Sequence, residues 1–152
     1  MEKIYLEDYE IGEKLVSPGR TMTESDITAF AGLTGDWHPI HTNIEYAKKS
    51  PFGERIAHGM LTLSIGSALI FRLGQYAALP KSFIAFYGID SVRFVGPCKI
   101  GDTIHCEMEV VEFVMKDESK GVIVCKNTIY NQRDEKVIVY KTRALAGRRP
   151  AS

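Results

Sequence analysis

Cysteine is scarce in this sequence: three residues, at positions 98, 106 and 125 of 152. An odd number without paired spacing argues against a disulfide framework and against a Cys-x-x-Cys metal cluster. All three fall in strand-like segments, so buried reduced thiols are expected. Net charge is missing as well, with 19 Lys and Arg set against 19 Asp and Glu. That balance gives no electrostatic footprint for nucleic acid or for an anionic membrane surface. Long hydrophobic runs are lacking too. The longest, Met60 to Phe71, falls short of the about 20 residues that cross a bilayer. The opening stretch MEKIYLEDYEIGEK has no apolar signal-peptide core. Neither an internal repeat nor a linker breaks the chain. These shortages lead us to expect a cytoplasmic protein forming one domain over residues 1–152, with no nucleic-acid or membrane partner.

What the chain does have is pattern, and 45% apolar residues to bury. After a lead-in loop with a turn at Gly12, Lys14 to Met22 reads as a weak strand broken at Ser17-Pro18-Gly19, the proline suiting a sheet edge. Thr23 is placed to cap a helix whose first turn carries Glu24 and Asp26. Ile27, Phe30 and Ala31 give that helix one apolar face, and Gly32 and Gly35 mark its end. Ile44 to Lys48 suits a short helix, and Ser50-Pro51-Phe52-Gly53 a turn. From Gly59 to about Ala78 the residues are apolar on every side, which predicts a long, wholly buried helix. Ile84 to Val95 reads as a strand with a bulge near Gly88, and Thr103 to Val110 alternates apolar and polar residues cleanly. A turn at Asp117 to Gly121, then strands at Val122 to Tyr130 and Val137 to Leu145, complete the set; the tail GRRPAS is expected to fray. Short connections favour antiparallel neighbours. The expected fold is therefore α+β: a curved antiparallel sheet wrapped around one long central helix.

Between the capped helix and the apolar helix lies GDWHPIHTNIEYAKKSPFGERIAHGML, which holds three of the four histidines and the only tryptophan. A polar segment with a constrained backbone between two regular elements is where function is expected. Asp36 and His41 are five apart across Pro39, too far for one helix face, but a loop turned by the proline could aim both at one point. Sharing a water, a carboxylate and an imidazole make a general acid/base pair. The plainer alternative is that Asp36 caps loop amides and His41 fills a polar hole. Gly59 opens the apolar helix, where free amides and the positive end of the dipole can polarise a carbonyl. Ser64 and Ser67, further along that helix, could bond Asp36 or equally a helical carbonyl. Trp37 stands beside Asp36 as either a wall of the site or a loop anchor. His38, His41 and His58 could also be read as a metal site, but His-x-x-His across a proline is poor ligand geometry and no thiol or carboxylate cluster completes it. No metal and no cofactor are expected.

Four stretches, YEIGEK, TESDITAFAGLTGDWHPIH, FGERIAHGML and VRFVGPCKIGDTI, occur in an order that resembles the MaoC-like dehydratases. That family includes (R)-specific enoyl-CoA hydratases and has the hot-dog fold, a helix wrapped by an antiparallel sheet. The resemblance implies water addition to a trans-2-enoyl thioester of CoA or a carrier protein, or the reverse dehydration. It implies that Asp36 and His41 hold and activate the water and that an amide at Gly59 binds the thioester oxygen. His38 departs from the pattern, since many hydratases carry Asn there; it is expected to support the pair rather than react. His58 is expected to be structural. A homodimer or higher homo-oligomer is implied as well. Two other readings remain open at this point: a hot-dog thioesterase, and a non-catalytic acyl-CoA-binding subunit.

Overall fold

The computed structural model describes residues 2–151. Its backbone is a strongly curved antiparallel sheet in which the strands β1 (Lys14–Val16), β4 (Thr103–Met115), β5 (Lys120–Tyr130), β6 (Lys136–Gly147) and β3 (Phe83–Phe94) lie side by side in that order. A two-residue strand, β2 (Arg20–Thr21), also pairs with β4. The expected first strand is thus two short pieces on one partner, parted at Ser17-Pro18-Gly19. The break is held rather than loose. Ser17 donates its backbone N–H to the Cys106 carbonyl at 2.9 Å, and its hydroxyl accepts the Cys106 amide at 2.8 Å.

The alternation read in β4 is the observed one, with Ile104, Cys106, Met108 and Val110 buried. The strand runs on to Met115 because a bulge at Val110/Glu112 resets its register against β5. In β3 a register shift falls between Phe86 and Gly88, where a bulge was expected. At the far end the expectation of a frayed tail is corrected. Gly147 belongs to β6 and donates to the Ser82 carbonyl, Arg148 bonds Glu7 at 3.1 Å, and Arg149 bonds Asp8. Two of these contacts, at Glu7 and Asp8, tie it to the lead-in segment.

Helix α1 (Glu24–Thr34) begins at a Thr23–Asp26 capping box and ends at Gly35 with φ +80°. Only a glycine-like residue takes that left-handed turn cheaply, and it throws the chain into the polar segment. Ile27 and Ala31 are buried beneath the helix, as their spacing predicts, with Phe30 packed beside them.

The central helix enters the concave face of the sheet, giving the hot-dog arrangement, with two departures from expectation. It is not one rod. Helix α4 (Gly59–Ala68) passes into a 3-10 stretch (Leu69–Leu73), breaks at Gly74 with φ +123°, and resumes as α5 (Gln75–Ala78). Nor is it buried all round. Leu61, Thr62, Leu63 and Gly66 face the sheet, whereas Met60 is 58% exposed and Ser64 and Phe71 also face outwards. On the sheet side the fit is tight: a Cβ on Gly66 would stand 2.3 Å from Ile129 Cδ1.

Candidate functional site

The polar segment is sewn together by its own backbone. Asp36 Oδ1 accepts the His38 amide at 3.2 Å, a local turn that Asp forms readily. Helix α2 (Pro39–Thr42) follows, with Pro39 at its first position and His38 as its cap, the ring Nδ1 accepting the Ile40 amide at 3.1 Å. Asn43 caps α3 (Ile44–Lys48) through the Tyr46 amide. Gly53, at φ +72°, completes the expected turn. The chain then returns past α2 and forms an antiparallel bridge between Ile56 and Lys99: the Ile56 amide donates to the Ile40 carbonyl at 3.3 Å, and the Ala57 amide to the Cys98 carbonyl at 2.7 Å.

That return brings His41 and His58 face to face. Their ring centroids are 3.9 Å apart with planes 27° from parallel. Nitrogen or oxygen atoms of Asp36, His41 and His58 all lie within 4.8 Å of one another. His41 Nδ1 is 2.7 Å from the Ile56 carbonyl oxygen. A carbonyl only accepts, so Nδ1 carries the hydrogen and the Nε2 lone pair of neutral His41 is left for chemistry. By the same reasoning His58 Nε2 donates to the Asp36 backbone carbonyl at 2.9 Å. Burial holds the His41 imidazole below its ordinary value of 6.5, aided by the neighbouring His58 and His38; the Ile56 hydrogen bond and Asp36 oppose this. His41 is therefore a neutral base at pH 7.

His41 lines a cavity of about 520 Å³, together with Gly59, Thr62, Phe94, Cys98 and Ile138. Gly59 is the first residue of α4, and among the described residues no side chain caps that helix. Its leading amides are left for another acceptor. A Cβ on Gly59 would meet the Phe94 ring at 2.8 Å, so the aromatic ring lies directly against this helix start.

Other residues singled out in the sequence fall differently. Ser64 donates to the Met60 carbonyl at 2.8 Å and Ser67 to the Ser64 carbonyl at 3.2 Å, so both bond their own helix rather than Asp36. Trp37 is 54% exposed, which removes the alternative that it anchors the loop in the core of this chain. His38 is occupied as a cap, with Tyr46 edge-on to its ring. His58 was expected to be structural, and its stacking on His41 had no signal in the sequence. Sequence reasoning missed the contact of Phe94 with Gly59 in the same way: each joins segments far apart along the chain.

The group Asp36, His41 and His58 has the residue types of a metal site but not the orientation. An imidazole lone pair lies in its ring plane, and two nearly stacked planes do not converge within the about 2 Å that a metal–nitrogen bond requires. The hydrogen-bonded ring nitrogens are also committed to carbonyls.

Comparison with known proteins gives a consistent picture. A family model described as "MaoC like domain" matches residues 8–132. An (R)-specific enoyl-CoA hydratase of Rhodospirillum rubrum is 40% identical over 110 residues, covering 72% of this chain and 72% of that protein. A "Protein MaoC" of Klebsiella aerogenes is 38% identical over 121 residues; the match takes in 77% of this chain but only 35% of that longer protein. A crystal structure from Archaeoglobus, described as a monoamine oxidase regulatory protein, superposes with a TM-score of 0.91 at 44% identity, covering 97% of each chain. The residues matched include the whole polar segment and the start of the central helix. The chain belongs to the MaoC-like domain family.

Proposed function

We propose that this chain is a hydro-lyase that adds water to a trans-2-enoyl thioester, giving a 3-hydroxyacyl thioester, and catalyses the reverse dehydration. One observation carries the reading: a carboxylate and a neutral imidazole within 4.8 Å of each other, the imidazole sharing a cavity with an uncapped helix start. Water held between Asp36 and His41 gives a proton to His41 Nε2 as its oxygen bonds to C3 of the enoyl chain. Electrons of the double bond move toward the thioester carbonyl, whose oxygen gains charge at the Gly59 amide and the positive end of α4. His41, protonated at Nε2, then gives that proton to C2 and is neutral again, so atoms and charge balance. His38 keeps α2 in place and takes no part in proton transfer.

The substrate carrier is CoA or a carrier protein, and the acyl chain runs along α4 toward the second subunit. A smaller cavity of about 130 Å³ supports that path; it is lined by Ser67, Ile70, Phe71, Phe86 and Tyr140. Ser67 lies about 12 Å along the helix from Gly59 at 1.5 Å per residue. The working form is a homodimer. Support comes from β3, an edge strand, whose exposed side chains include Phe83, Phe86, Ile89 and Phe94, together with Met60 and Phe71 on the open side of the helix. Three unbridged, buried cysteines fit a reducing, cytoplasmic setting.

A panel of trans-2-enoyl-CoAs of graded length, followed at the enoyl-thioester absorbance, tests the reading. Loss of that absorbance with formation of the 3-hydroxyacyl product is expected. Release of free CoA from saturated acyl-CoAs, with no hydration of any enoyl member, would overturn it in favour of a thioesterase.

A further inference from the structure

His58 is 2% exposed, yet one of its ring nitrogens, Nδ1, has no hydrogen-bond partner among the described residues. A buried acceptor left without a donor costs stability. An apolar residue would pack there without that cost. His58 nevertheless meets three parts of the site at once, two of them through its ring. Its Nε2 holds the Asp36 backbone carbonyl at 2.9 Å, its face covers the His41 ring at 3.9 Å, and its backbone carbonyl accepts the Thr62 amide at the start of α4. Phe30 of α1 closes the other side, edge-on, with centroids 4.9 Å apart.

We propose that His58 is a positioning residue for the hydration reaction: through one hydrogen bond and one stacking contact it sets the Asp36 carboxylate and the His41 imidazole relative to the Gly59 amide. The inference rests on the function proposed above for the pair. Two jobs are separable in the geometry. The Nε2–H bond fixes the main chain of Asp36, which is exposed and has little else to hold it than the Thr34 and His38 contacts on its own loop. The stacked face keeps water from one side of His41, whose other charged or titratable neighbours are Asp36 and His38. The orphaned nitrogen fits this reading. Nε2 faces a carbonyl, which only accepts, so the ring hydrogen sits there, and Nδ1 meets no donor among the described residues.

The two jobs call for two substitutions. His58→Gln reaches about as far and keeps a donor for the Asp36 carbonyl but has no ring to cover His41. His58→Phe keeps a ring but has no donor. In the glutamine variant the acid limb of kcat/KM, and the His41 titration seen by NMR, should both move up toward the ordinary histidine value, with kcat falling modestly. In the phenylalanine variant the His41 titration should stay near that of the unmodified protein, while kcat falls at least about tenfold with KM little changed, as expected when an interaction serves the transition state. Folded variants of both kinds that keep kcat within about twofold and leave the His41 titration unmoved would overturn the proposal.

Nitrogen NMR of the unmodified protein supplies a readout free of substitution and of substrate. Near neutral pH it should find His58 protonated at Nε2 alone and His41 at Nδ1 alone. Any other tautomer pair would overturn the assignment even if neither variant folds. Absence of hydration by the unmodified protein would defeat the function reading while the tautomers still decided the placement of His58.

Discussion

At the scale of single residues the site is a matter of which nitrogen is free. Asp36→Asn and His41→Ala should each lower turnover by about 10²–10⁴-fold, the range that general acid/base groups contribute. Thermal melting should change little, because Asp36 is exposed and His41 is only partly buried. Turnover near normal in either variant would strip that residue of its role. The depressed pKa of His41 has a second consequence. As pH falls below about 6.5, the unfolded chain takes up its proton before the folded one does. Stability from this group is therefore intact above that value and declines below it, while the acid limb of kcat/KM should lie under 6.5. An acid limb above 6.5 would contradict the neutral-base assignment. Asp36 and His41 were legible as neighbours because Pro39 bars one continuous helix between them, but the short helix α2 that the proline opens, and that carries His41, was read as a loop. The stacked His58 was not legible, since 17 positions separate it from His41 and only the return of the chain past Ile56 unites them.

Among the elements, α4 shows how closely a helix can lie on a sheet. Gly66 permits the approach to β5, and Ile129, wholly buried, has no room to give way. Gly66→Ala gains about 1 kcal/mol of helix propensity but must displace a packed side chain, at a cost of about 1–3 kcal/mol. A net fall in melting temperature of a few degrees is expected. Gly32→Ala in α1 is the control. No atom lies within 4 Å of the added methyl, so the same exchange should stabilise by about 0.5–1 kcal/mol. Calorimetry of the two variants checks both signs. Element boundaries were legible where a local group sets them, as at Thr23, Gly35 and Gly53. The end of the central helix was not read at Gly74, because the apolar run continues through it and composition outweighed one glycine. Ser64 and Ser67 illustrate the same limit in miniature: either hydrogen-bond partner suited the sequence, and the nearest carbonyl wins.

For the whole molecule, the misreading of the central helix is instructive. A helix apolar on every side was taken to be enclosed by its own sheet, yet Met60, Ser64 and Phe71 face outwards here. Apolar patterning marks surfaces that favour cover without saying what supplies it, and on these residues the chain's own sheet does not. The same surplus appears on β3, where Phe86 is 62% and Phe94 52% exposed along an unpaired strand edge. Light scattering at micromolar concentration should find a dimer; a uniform monomer would contradict it. If subunit pairing covers these surfaces, dilution becomes a denaturing condition in its own right, by mass action alone. Melting temperature should then rise steadily with protein concentration. The cell's expression level, as much as the sequence, would set how much of this chain is folded at any moment.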